Sequence, residues 1–234
     1  MIGTLINVIA ILAGGALGLF FGTRLPERLK TTVIAGMGLF VVAIGVQMFL
    51  NTKNSMVVLG ALLIGAILGE WWRIEDGLQA LGVWLEQKFA HGDGDASSRF
   101  VRGFLTASLL FCIGPIAILG AIQDGLAGDY KLLAIKSVLD GFASLAFAST
   151  LGIGVLFSAL VILAYQGGIS LLARQLQNVM TPSMMNEMIA TGGVLLMGIG
   201  FSSLLEIKRI RVGNFLPALV IAPLIVFVLS LFGK

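Results

Sequence analysis

The constraint that dominates this chain is the number of apolar runs long enough to cross a lipid bilayer. A helix needs about 20 mostly apolar residues to span the hydrocarbon core. Runs of that size fall near 2–22, 32–50, 55–72, 101–122, 132–150, 152–173, 187–205 and 213–232. They leave the 234-residue chain 58% hydrophobic and only 12% charged, with mean hydropathy +1.02. A soluble domain carries about 25% charged residues. A soluble enzyme, a nucleic-acid binder, a disordered tail and a disulfide scaffold are therefore excluded. The 31 glycines agree, because membrane helices tolerate glycine well. The expected fold is all-α: a single polytopic membrane domain of about eight transmembrane helices.

Charge order refines this picture. The first apolar run lacks a basic n-region and is followed by Arg24, Arg28 and Lys30, the reverse of a cleaved signal, so it reads as a retained span. Glu75 to Lys88 is too charged to cross, yet Leu78, Leu81, Leu85 and Phe89 recur at helical spacing beside Trp84. That pattern predicts an amphipathic helix lying at the interface. His91 to Ser98 reads as a polar loop, with His91 an ordinary loop residue. Loops after the odd-numbered spans carry ten lysines and arginines, against four on the other side. The positive-inside rule then puts both termini outside the cytoplasm. A re-entrant fourth or fifth span would break that parity.

Shifting the chain by 155 residues lays the second span on the seventh: Ile34-Ala35 on Ile189-Ala190, Gly38 on Gly193, Ile44-Gly45 on Ile199-Gly200. With two residues inserted, Leu59, Ala61, Leu62 and Ile64 meet Leu216, Ala218, Leu219 and Ile221. Gly14-Gly15 meets Gly167-Gly168 at an offset of 153. These matches divide the chain into a first repeat (1–72), an interfacial helix and loop (73–99), a central hairpin (100–150) and a second repeat (152–234). Each span of the second three-helix repeat comes five crossings after its counterpart, an odd number, so the second repeat is inverted relative to the first. Inverted repeats are a mark of secondary transporters, with the site near the midplane where the repeats meet.

The central pair is also the most polar. Pro115, after Gly114, lacks an N–H and should kink or break span four, freeing backbone carbonyls as ligands. Gln123 and Asp124 follow in the same span. In span five, Lys136 and Asp140 stand four residues apart, on one helix face, and can pair. Gln123-Asp124-Gly125-Leu126-Ala127 and Leu139-Asp140-Gly141-Phe142-Ala143 read as two copies of one element. An ionisable group inside a span marks a functional site by default. Simpler roles stand beside this one: Asp124 as a cap at the end of span four, and Lys136 snorkelling from the start of span five. Asp140, Asp124, Lys136, Gln123, Gly114 and Pro115 form the candidate ion- or solute-binding set.

Other polar residues read as structural. Asn7, Gln47 and Gln166 are expected to hydrogen-bond between helices. Glu70, Glu187 and Glu206 sit at span ends and read as interfacial. Cys112, the lone cysteine, cannot form an internal disulfide and reads as a small buried residue. Gly14, Gly18 and Gly22, and Gly65 and Gly69, make GxxxG faces, either for packing within the chain or for a homodimer.

HExxH, CxxC, Walker and GxSxG motifs are all missing, so no metal, cofactor, ATP-driven transport or enzymatic activity is expected. Asp124 and Asp140 as an aspartyl-protease dyad would match Pro217-Ala218-Leu219, but the YD and GxGD motifs are missing.

Gly3-Thr4-Leu5-Ile6-Asn7, Cys112-Ile113-Gly114-Pro115 running on to Gln123-Asp124-Gly125, and Lys136-Ser137-Val138-Leu139-Asp140-Gly141 together give the chain a family resemblance. It resembles the YqgA/YdfK-like family of bacterial inner-membrane proteins (domain of unknown function 554). The resemblance implies a prokaryotic cytoplasmic membrane and assigns no site residues. From the residues themselves, the expected function is a small secondary transporter or ion-coupled carrier of an unknown small solute or ion. An ion channel, or a non-transporting scaffold or sensor subunit, is the alternative. Membrane lipid and the transported species are the expected partners, and nucleic acid is not.

Overall fold

The structure is a computed structural model that describes residues 1–22, 26–89, 95–113, 115–173, 175 and 180–232. Among the described residues there are ten α-helices and no strand. In chain order they are α1 (Ile2–Gly22), α2 (Glu27–Phe49), α3 (Ser55–Trp71), α4 (Ile74–Phe89), α5 (Asp95–Cys112), α6 (Pro115–Ala127), α7 (Lys131–Leu151), α8 (Gly154–Leu171), α9 (Pro182–Ile199) and α10 (Ala218–Phe232). A π-turn, Gly200–Leu204, closes α9, and a 3₁₀ turn, Val212–Phe215, precedes α10. Six helical segments are long and apolar enough to cross a membrane, and up to eight if each of two bent pairs counts as one span. The chain is an all-α polytopic membrane protein.

The bent pairs fall where the sequence is interrupted. Span four, expected as one helix over 101–122, is two helices, α5 and α6, bent by 63°. Proline clashes with the turn before it and donates no hydrogen bond, so a new helix starts at Pro115. Gly114 itself lies outside the described residues. α3 and α4 are bent by 54°, through Arg73 at φ 53°. α4 packs Gly82 and Leu85 inward, with Leu85 against Phe100 and Phe104 of α5, and leaves Leu81, Trp84 and Phe89 exposed. The loop read at His91 begins outside the described residues. Span seven starts earlier than 187: the Thr181 hydroxyl caps α9, and Pro182 sits in its first turn.

The helices gather into two compact units, residues 1–36 with 79–178, and residues 37–78 with 179–234. In the first unit, α1 lies along α7. A Cβ on Gly14, Gly18 or Gly22 would overlap the backbone carbonyl of Gly141, Leu145 or Ser149 in turn. This glycine face is thus spent on close packing inside the chain.

In the second unit, α3 packs on α10 through Ala61, Ala218 and Ala222, and α2 meets α9 at glycines. A Cβ on Gly45 would lie 2.6 Å from the Gly193 carbonyl oxygen, and one on Gly193 2.5 Å from that of Gly45. A Cβ on Gly200 would lie 3.1 Å from the Gly38 carbonyl oxygen. The 155-residue shift takes Gly45 to Gly200 and Gly38 to Gly193, so it exchanges one glycine contact with the other. Reciprocal contacts of this kind are what two antiparallel copies of one helix require. Gly65 and Gly69 are covered as well, by Ala218 and Asn214.

Candidate functional site

α7 divides its residues by helical position. Ile135, Val138, Leu139 and Phe142 are exposed, the pattern of a lipid-facing side. Lys136, Ser137, Asp140 and Ser144 are buried on the opposite side. Lys136 and Asp140 form an ion pair at i,i+4, each under a tenth exposed. Lys136 therefore does not snorkel to the surface. Its ammonium lies 6.0 Å from the ring centroid of Phe111, so the end of α5, at the helix break, reaches the pair.

Two other helices complete the cluster. Asn7 of α1 donates from Nδ2 to Asp140 Oδ2 (3.0 Å) and to Gln166 Oε1 of α8 (3.1 Å). Ser144 donates to the Ile11 carbonyl at 2.8 Å, holding α7 to α1 beside them. Thr4, Asn7 and Gln166 are fully buried, yet Thr4 Oγ1, Asn7 Oδ1 and Gln166 Nε2 have no hydrogen-bond partner among the described residues. Rotating the Asn7 amide would aim its oxygen at the Asp140 carboxylate, and rotating that of Gln166 would set N–H against N–H. Neither change satisfies the set.

Asp124 stands apart from this pair. It is buried on α6, where Oδ2 accepts the Gly3 N–H at 3.1 Å, and the amino group of Met1 lies 3.1 Å from Oδ1. It therefore joins α6 to α1 rather than capping its own helix. Gly3 and Asn7 are one turn apart on α1, so the two aspartates address successive turns of the same helix. No hydrogen bond among the described residues joins the two carboxylates. Gln123 is half-buried and outside this hydrogen-bonded set. Pro115 opens α6, and its backbone role is the break already described.

The sequence thus placed Lys136 and Asp140 together, and the structure adds Asn7 and Gln166, both of which had read as packing groups. Their pairings span 133 and 159 residues, which no local pattern encodes. Gln47 is exposed, and among the described residues no hydrogen bond of its side chain joins helices.

Glu187 is tied to a distant turn. It is 3% exposed, and its carboxylate accepts Thr52 Oγ1 (2.5 Å), Lys53 N–H (2.7 Å) and Asn54 N–H (3.0 Å). It clamps the α2–α3 turn. At the opposite end of α3, Glu75 accepts the Gly213 N–H at 2.7 Å, and Asn214 Oδ1 accepts the Glu75 N–H at 2.7 Å. Burial pushes the Glu75 carboxyl above its ordinary range, against the opposing pull of the Gly213 bond, Arg209 and Arg211. Among the described residues, no group of three or more His, Cys, Asp and Glu side chains is placed to hold a metal.

Comparison with known proteins agrees with a membrane fold. Residues 2–227 match the family described as "Protein of unknown function (DUF554)". The chain is 34% identical over 237 residues to the "Uncharacterized membrane protein YdfK" of Bacillus subtilis (strain 168), covering 100% of this chain and 99% of that one. It is 34% identical over 223 residues to the "Uncharacterized protein YqgA" of Escherichia coli (strain K12), covering 95% and 94%. No solved structure matches it. The chain belongs to the DUF554 family.

Proposed function

We propose that this DUF554 protein is a small secondary transporter coupled to a proton or a small cation, with the Asn7–Asp140–Lys136–Gln166 cluster as its binding centre. One observation carries the reading: buried polar atoms of Asn7 and Gln166 are left unspent beside a buried ion pair. Placing one charged side chain at the centre of a membrane helix costs about 3 kcal/mol. Leaving a buried polar group unpaired costs about 1–3 kcal/mol more. A cluster that only fixed helix packing would satisfy its members; one that receives a guest keeps some free.

The roles follow from the chemistry. Asp140 is the anionic ligand. The Lys136 ammonium fills the cation position when the site is empty, and an arriving proton or cation displaces it. Asn7 Oδ1 is a neutral acceptor of the kind a partly dehydrated cation needs. The reciprocal glycine contacts of α2 with α9 support an inverted-repeat architecture, the usual frame of alternating access. The membrane in this reading is the prokaryotic cytoplasmic membrane, with both termini outside the cytoplasm. The second reading, a non-transporting scaffold, draws on the depth of the Lys136–Asp140 pair, each partner under a tenth exposed.

Accessibility separates them. In a Cys112→Ala background, Asn7→Cys and Gln166→Cys are exposed to a charged, membrane-impermeant thiosulfonate, with exposed Lys53→Cys as control. A transporter is labelled at position 7 or 166 from at least one side, and labelling slows when the coupling cation or acid pH is applied. If the reagent, applied from each side in turn, labels the control and neither position 7 nor position 166, transport is overturned and the scaffold remains.

A further inference from the structure

The second unit holds a cleft that the polar cluster does not use. It measures about 570 Å³ and lies between the last turns of α3 and the 3₁₀ turn before α10. Ile67, Trp71 and Phe215 line its apolar part, and Glu70, Arg211 and Asn214 its polar part. Ile67 is 69% and Trp71 76% exposed, and they continue an exposed apolar row, Leu59 and Leu63, along the same side of α3. Trp72 is exposed beside them. Paired tryptophans at the end of an apolar row mark the level where hydrocarbon gives way to headgroups. A lipid chain lying along that row meets the cleft at headgroup depth.

The polar part is dipolar rather than basic. Arg211 Nη1 donates to Glu70 Oε1 at 3.0 Å, and Asn214 Nδ2 donates to Glu70 Oε2. Both charged side chains stay more than half exposed, 52% and 62%. A guanidinium has five N–H donors, and a carboxylate about four acceptor sites. Each therefore keeps capacity on its open side. A lone anion would meet the Glu70 charge, and a lone cation that of Arg211. A headgroup carrying a phosphate and a primary ammonium meets both, the phosphate on Arg211 and the ammonium on Glu70. A quaternary ammonium has no N–H to give Glu70.

We infer that this cleft is a binding site for a phospholipid with a phosphoethanolamine headgroup, its acyl chain seated along Ile67 and Leu63. The inference is independent of the transport reading.

The test uses the purified full-length protein, delipidated in maltoside micelles, and its melting midpoint with phosphatidylethanolamine, phosphatidylcholine or phosphatidylglycerol of identical chains, or with soluble phosphoethanolamine. Phosphatidylethanolamine should raise the midpoint by about 5 °C at saturation, and the other lipids by less than half as much. Arg211→Gln, which removes the phosphate partner at an exposed position, and Ile67→Trp, which fills the cleft without touching a charge, should each abolish the selective rise. Equal rises with all three lipids, or unchanged selectivity in both variants, overturn the proposal. A rise with phosphatidylglycerol alone overturns it in favour of an anionic site. An equal rise with soluble phosphoethanolamine overturns the lipid as occupant and leaves a headgroup site.

Discussion

The Lys136–Asp140 pair decides what kind of protein this is, because it can be kept for two opposite reasons. A buried ion pair contributes little net stability, since desolvating both charges offsets their attraction, whereas stripping one partner leaves an uncompensated charge. Asp140→Ala, which strands the buried Lys136 ammonium beside Phe111 of α5, should cost about 3–5 kcal/mol in reversible unfolding. The double variant Lys136→Met/Asp140→Leu should recover most of that loss while abolishing any ion-driven flux. Recovered stability with flux intact would mean that the pair is not part of the transport machinery. The pair could be read from the sequence because i,i+4 spacing is a local signal. Asn7 and Gln166 could not be read as members of the same site, because a single amide in an apolar run looks the same whether it packs or binds. The partners of Glu187 were hidden for a related reason: its three donors come from a turn 133 to 135 residues away.

At the scale of elements, the sequence carried the helices well and their breaks less well. Apolar density alone placed α1 and α7 to within a residue or two. It misjudged α5, which runs outward to Asp95 past Arg99 and Arg102, because a membrane helix does not end where the hydrocarbon does. The glycines divide in a way composition could not reveal. Those at Gly45 and Gly193 touch backbone, whereas Gly36 has nothing within 4 Å of where its Cβ would lie. One substitution therefore has opposite signs at two places on α2. Gly36→Ala should stabilise by up to about 1 kcal/mol through helix propensity. Gly45→Ala and Gly193→Ala should destabilise by about 1–3 kcal/mol, because α2 and α9 must separate to admit a methyl group. Melting midpoints of the three variants in one detergent measure this, and a matching sign at Gly36 and Gly45 would mean that α2 and α9 do not approach through these glycines.

For the whole molecule, the open quantity is the parity of crossings, and it turns on the two bent pairs. Six segments cross by length alone, and each bent pair adds one crossing or none. If α3–α4 and α5–α6 both cross, the total is eight; if neither does, it is six; in both cases the termini share a side. If only one crosses, the total is odd and the termini part. α3 is an apolar helix of 17 residues whose exposed side is hydrocarbon from Met56 to Ile67, with Glu70 and Trp71 exposed at its end, which suits a crossing with α4 turned along the interface. α5–α6 brings its break to the Lys136 ammonium, which a span broken at the midplane does and a hairpin entering from one side can also do. With eight crossings, ten basic residues in the loops after odd-numbered spans against four in the others predict both ends outside. Alkaline phosphatase fused at either terminus should be active in cells, and green fluorescent protein at either terminus dark. Activity at one end only would make α5–α6 the re-entrant element, because α3 has no other way to cover its apolar side. Fluorescence at both ends would keep the even count and reverse the orientation, and the basic loops around Arg73 and Arg211 would then face outward.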